Sequence, residues 1–188
     1  MRETVLLRVA ALVLAVPLGL VGADVALAQE PVAPYRLEMR LGVLAHDVPD
    51  LWSGFRLERG VDLNGEILFG SGLAFLGGRL RPAIGGSVNT AGYTSKAYLD
   101  ARWQRECENN IFYAFGIGIA VHDGETMNPD PDYKQLGRRV LFHDSIEIGY
   151  RLDQHNSLSL YFEHISNAST APKNQGLDAL GIRYGYRF

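Results

Sequence analysis

The stretch Leu158-Ser159-Leu160-Tyr161-Phe162-Glu163-His164-Ile165-Ser166-Asn167 is followed by a polar connection, Ala168 to Leu177. The chain then closes with Asp178-Ala179-Leu180-Gly181-Ile182-Arg183-Tyr184-Gly185-Tyr186-Arg187-Phe188. Successive side chains of a strand point to opposite faces, so Leu158, Leu160, Phe162, His164 and Ser166 share one face. Asp178, Leu180, Ile182, Tyr184, Tyr186 and Phe188 share another, against Ala179, Gly181, Arg183, Gly185 and Arg187. Ser169, Pro172, Asn174 and Gly176 in the connection are turn formers. The reading is a hairpin in which Ser166 lies roughly opposite Asp178. A histidine, a serine and a carboxylate then meet on a face that is otherwise apolar.

Six earlier segments alternate in the same way, separated by Gly, Asn and Asp breaks. Tyr35, Leu37, Met39, Leu41 and Val43 stand against Arg36, Glu38 and Arg40. Phe55, Leu57, Val61, Leu63, Ile67 and Phe69 stand against Arg56, Glu58, Asp62 and Glu66, with Arg59 the exception. Leu80 to Val88 follows, and then Lys96 to Gln104, where Ala97, Leu99 and Trp103 share a face. Ile111 to Val121 has a small second face of Ala114, Gly116, Gly118 and Ala120. Arg139 to Leu152 sets Val140, Phe142, Ile146, Ile148 and Tyr150 against His143, Ser145, Glu147 and Arg151. The total is eight strands. Several exceed the ~5–6 residues usual in soluble strands and match the ~9–11 of a tilted strand crossing a bilayer.

Two architectures alternate like this, and the charges separate them. A soluble sandwich turns its charged face outward. An outer-membrane barrel turns it inward, where unlike charges pair, and gives its apolar face to lipid. Here Arg, Glu, Asp and Lys recur on one face of nearly every strand. The last residues, Ile182-x-Tyr184-x-Tyr186-x-Phe188, resemble the terminal aromatic signature of bacterial outer-membrane proteins. The expected fold is all-β: an eight-stranded antiparallel transmembrane β-barrel of the bacterial outer membrane.

The N-terminus fits that destination. Arg2 and Arg8 precede an apolar run from Val9 to Val21 and then Ala26-Leu27-Ala28, the layout of a secretory signal peptide cleaved before Gln29. Residues 1–28 are read as the leader and 29–188 as the barrel. The net charge is −3, with no basic excess to suggest nucleic acid. Cys107 is the only cysteine, so no internal disulfide can form. His143 is expected inside the barrel beside Glu147. His46 and His122 lie at strand ends without a spacing that argues for a metal. With both termini in the periplasm, the connection from Ala168 to Leu177 faces the cell exterior, and His164, Ser166 and Asp178 sit near that rim on the lipid side. Ser71 to Gly78 is long for a periplasmic turn.

A serine hydroxyl becomes a useful nucleophile when an imidazole takes its proton and a carboxylate orients that imidazole. His164-Ile165-Ser166-Asn167-Ala168, with Asn174, Gly176 and an acid at 178, resembles the lipid A 3-O-deacylase (PagL-type) family. The resemblance implies an outer-membrane esterase with Ser166 as nucleophile, His164 as general base and Asp178 as acid. Asn174 would be a side-chain donor to the oxyanion, with Asn167 and Ser169 in support. It implies lipid A, in lipopolysaccharide, as substrate, the acyl chain at position 3 as the group removed, and no cofactor. Two positions depart from the family pattern. Asp178 replaces the usual glutamate, which asks for closer strands or a bridging water. Ser169 replaces a glycine, which makes positive φ harder to reach. The alternatives are a non-catalytic structural or adhesive barrel, or an esterase acting on another outer-leaflet acyl bond.

Overall fold

The computed structural model describes residues 35–127 and 130–188. The expected leader lies outside the described residues. Nine strands follow one another: β1 (Leu37–His46), β2 (Val61–Phe69), β3 (Leu73–Phe75), β4 (Gly78–Asn89), β5 (Lys96–Glu106), β6 (Ile111–His122), β7 (Val140–Arg151), β8 (Asn156–Ser166) and β9 (Leu177–Arg187). No helix occurs among the described residues. All pairings are antiparallel. β1 pairs with both β2 and β9, and β2 pairs with β4, so eight strands close a barrel while β3 is an appendage on β4.

The eight barrel strands are 9 to 12 residues long, enough to cross a hydrocarbon layer when tilted. Their outer faces carry Leu41, Val43, Leu63, Ile84, Leu99, Ile117, Ile119, Ile146, Leu160 and Ile182, all exposed. Trp103, Tyr113 and Phe115 contact one another in a cluster, and Tyr186 and Phe188 meet edge to face. These aromatics stand at the end that holds the short turns, as an interfacial girdle would.

Charge fills the inside. Glu38 takes Arg40 at 2.8 Å, Arg151 at 3.0 Å and Arg187 at 3.2 Å. Arg183 bridges Glu66 at 2.8 Å and Glu147 at 3.0 Å, while Arg102 pairs with Glu66 and Arg40 with Glu147. Tyr161 lies between two guanidinium groups, Arg183 at 3.8 Å and Arg102 at 5.3 Å from its ring. Nearer the loops, Glu163 pairs with Lys96 at 2.7 Å and His143 at 3.2 Å. Charges taken out of water must be paired, and these are.

Three sequence expectations need correction. The second segment starts at Val61 rather than Phe55, because Gly60 (φ +105°) turns the chain and the Asp47 carboxylate takes the amides of Leu57 and Glu58 at 2.7 and 2.9 Å. The long connection after β2 is a hairpin: Leu76 and Gly77, both at positive φ, link β3 to β4, the geometry of a tight two-residue turn. His143 is inside, but its partners are Asp100 and Glu163. Glu147, four residues along the same strand, is ~13 Å away.

Candidate active site

The four longer connections, 47–60, 90–95, 123–139 and 167–176, lie at one end of the barrel. There, on the outer wall, β8 and β9 present His164, Ser166 and Asp178. The ladder sets His164 directly opposite Asp178, which corrects by two residues the expectation that Ser166 would be opposite it. Strand register depends on loop length and turn geometry. Here the chain leaves β8 after Ser166 and re-enters at Leu177 through Gly176, at φ +64°.

That shift joins the histidine and the carboxylate. His164 Nδ1 is 2.6 Å from Asp178 Oδ1, so the shorter acid reaches the imidazole directly and no bridging water is required. Asp178 is fully buried, and His164 is 6% exposed. The other carboxylate oxygen of Asp178 accepts the backbone N–H of Ser53 at 2.7 Å. Trp52 stacks on the His164 ring, with centroids 4.8 Å apart and planes 19° from parallel, and extends over Phe162 at 6.3 Å. Along another edge a Cβ on Gly176 would be 2.9 Å from His164 Cε1, so only glycine fits this close approach.

Ser166 is half-buried on the same outer face, with Phe142 of β7 as its ladder partner. The only hydrogen bond of His164 among the described residues is the one to Asp178. Nε2 is therefore unengaged, and Ser166 Oγ is not bonded to it. Asp144 of β7 is His164's other ladder neighbour, a second, half-buried carboxylate on the outer face.

The loop 167–176 separates the three residues expected to assist an oxyanion. Asn174 accepts the Asn167 amide on Oδ1 at 2.9 Å, and its exposed Nδ2 makes only a 3.4 Å contact with Ser169 Oγ. Its N–H groups can serve an incoming oxygen. Asn167 is spent as an anchor: its Nδ2 donates to Leu136 O at 2.8 Å and Lys173 O at 2.5 Å. Ser169 adopts φ +62° and Ala168 φ +50°, so the loop takes the left-handed form without glycine. The cost is roughly 1–2 kcal/mol per residue.

Neighbouring loops hold this arrangement. Glu58 accepts Thr94 N and Lys134 N at 3.0 and 2.9 Å and meets His46 Nε2 at 2.9 Å. Burial works to raise the Glu58 carboxyl, but the bonds from His46, Lys134 and Thr94 outweigh it and hold the group below its usual range. Lys134 adds a 3.1 Å bridge to Asp47. Gln135 and Gln175 exchange bonds at 2.6 and 3.2 Å, tying loop 123–139 to loop 167–176. Trp52, Ser53 and Asp144 carry no periodic signal in the sequence. Trp52 and Ser53 lie in a non-periodic loop, and Asp144 interrupts an otherwise apolar face of β7.

Comparisons with known proteins converge. Residues 35–187 match the family model described as Lipid A 3-O-deacylase (PagL). A curated relative, Lipid A deacylase PagL of Bordetella bronchiseptica (strain ATCC BAA-588 / NCTC 13252 / RB50), is 36% identical over 73 residues. That alignment spans 39% of this chain and 39% of the relative's length. The crystal structure of the outer membrane enzyme PagL superposes with a TM-score of 0.61 at 19% identity, covering 80% of this chain and 99% of that one.

Proposed function

The chain belongs to the lipid A 3-O-deacylase (PagL) family, and we propose that it hydrolyses the 3-O-linked acyl ester of lipid A in the outer leaflet of the outer membrane. Ser166 is the nucleophile, His164 the general base and Asp178 the orienting acid. One observation carries this reading: a buried His–Asp pair at 2.6 Å, with a serine two residues along, on the apolar outer wall at the loop end of the barrel. Ionisable groups on a lipid face are costly and mark function by default. A site on that wall also meets a membrane ester where it lies.

Asp178 holds the proton on Nδ1, leaving Nε2 as the base. As Ser166 Oγ attacks the acyl carbonyl carbon, its proton passes to Nε2. Ser166 Oγ, two residues along the same face, has to close on Nε2 when substrate docks, as catalytic bonds commonly tighten only in the complex. The tetrahedral oxyanion accepts hydrogen bonds from Asn174 Nδ2 and from the Ser169 amide, which has no partner among the described residues. Collapse breaks the bond to the sugar oxygen, which leaves with the proton from His164. Water, activated by the same imidazole, then cleaves the acyl-serine to a free fatty acid and restores Ser166.

The test is mass spectrometry of lipid A incubated with purified protein in mixed micelles. The parent should release one 3-hydroxy fatty acid, and Ser166→Ala should release none while inserting normally. A parent inactive on several lipid A species would leave an inert barrel as the reading. An active Ser166→Ala would keep the esterase and discard this nucleophile.

A further inference from the structure

One loop aromatic on the outer wall of the site touches His164 itself and is not used by the reaction above. Trp52 comes from loop 47–60, yet it lies against the imidazole of β8, 4.8 Å from it and nearly parallel. The next residue, Ser53, binds Asp178 through its amide at 2.7 Å, and Val48 N–H reaches Asp178 O at 3.1 Å. One loop therefore grips both members of the pair. The indole remains 49% exposed, so its contact with His164 is not a by-product of core packing.

We propose that Trp52 is a positioning residue of the hydrolase: its indole face fixes the plane of the His164 ring, aims Nε2 at Ser166 and stabilises the imidazolium formed during attack. This rests on the assignment of His164 as the base. Charge on the ring exists only after proton transfer, and an aromatic face attracts a cation more than a neutral ring. The benefit therefore falls on the transition state rather than on substrate binding. The other groups facing His164 are the carboxylates of Asp178 from β9 and Asp144 from β7. Both are unchanged in the variants below.

Trp52→Leu keeps an apolar shield and removes the aromatic face, while Trp52→Phe restores a face. In Trp52→Leu, kcat should fall roughly 2- to 30-fold with KM unchanged. The acid limb of kcat/KM against pH should move down by up to about one unit, since the protonated ring loses a stabilising partner. Trp52→Phe should recover both. A readout independent of activity is the His164 ring proton resonance in detergent, assigned by its loss in His164→Ala. The indole above it should hold this signal upfield, and Trp52→Leu should release it. If Ser166→Ala is inactive but Trp52→Leu matches the parent in kcat, pH profile and ring resonance, this proposal falls and the triad stands. If Ser166→Ala remains active, both fall.

Discussion

His143, on the inner face of β7, and His164, on the outer face of β8, are built alike: each turns Nδ1 to an aspartate and lies against an aromatic ring. For His143 these are Asp100 at 2.9 Å and Tyr98, 4.1 Å between centroids; for His164 they are Asp178 at 2.6 Å and Trp52. The two residues belong to adjacent strands, and His143 pairs with Ile165, next to His164. The difference is the second nitrogen. His143 Nε2 meets Glu163 at 3.2 Å inside the barrel. His164 Nε2 has no hydrogen-bond partner among the described residues and shares its face with a serine. A histidine–carboxylate pair is thus a structural unit that the barrel uses freely. It becomes a candidate base only where one nitrogen is left unengaged and a substrate can reach it.

The largest contrast to test is the pair of alanine substitutions. His164→Ala should lower fatty-acid release by a factor on the order of 10⁶, the loss seen when one member of a triad acting as a unit is removed. Its stability should fall less than that of His143→Ala, because Asp178 keeps the Ser53 N–H at 2.7 Å. His143→Ala should do the reverse. Asp100 would lose His143, its only side-chain hydrogen-bond partner among the described residues, at a cost of roughly 3–5 kcal/mol, while activity of the folded fraction stays near the parent's. Product release and denaturant unfolding in micelles read the two effects separately. Equal loss of activity in both variants would end the comparison.

Asp178→Asn sharpens it. The amide can still accept the Ser53 N–H, but it no longer fixes a proton on Nδ1, so the rate should drop by a factor on the order of 10⁴ with the fold intact. Initial rates on lipid A check this, and a loss under tenfold would mean that Asp144 or another group orients the ring. The smallest effect belongs to the loop that joins the two strands of the site. Ser169→Gly removes a side chain from a residue at φ +62° and should gain up to about 1 kcal/mol of stability, with activity equal to or above the parent's. Protection of the 167–176 amides from hydrogen exchange measures it.

Much of this molecule is legible as a two-residue period. Alternation alone implies eight strands, an apolar outer wall, a paired charged interior, and the shared outer face of His164, Ser166 and Asp178. It also assigns Glu163 to the interior, where it meets Lys96 and His143. The period is a property of the local backbone, written into each strand independently of its neighbours, and so it survives in the sequence. Register does not: that His164 rather than Ser166 faces Asp178 depends on how loop 167–176 closes and on the whole ladder of β8 and β9. Nor do the loop contacts. Trp52 and Ser53 arrive from more than a hundred residues upstream, and Leu136 anchors Asn167 from a third loop. These contacts have no period, because they arise only after the barrel closes and brings the four loops together over one rim.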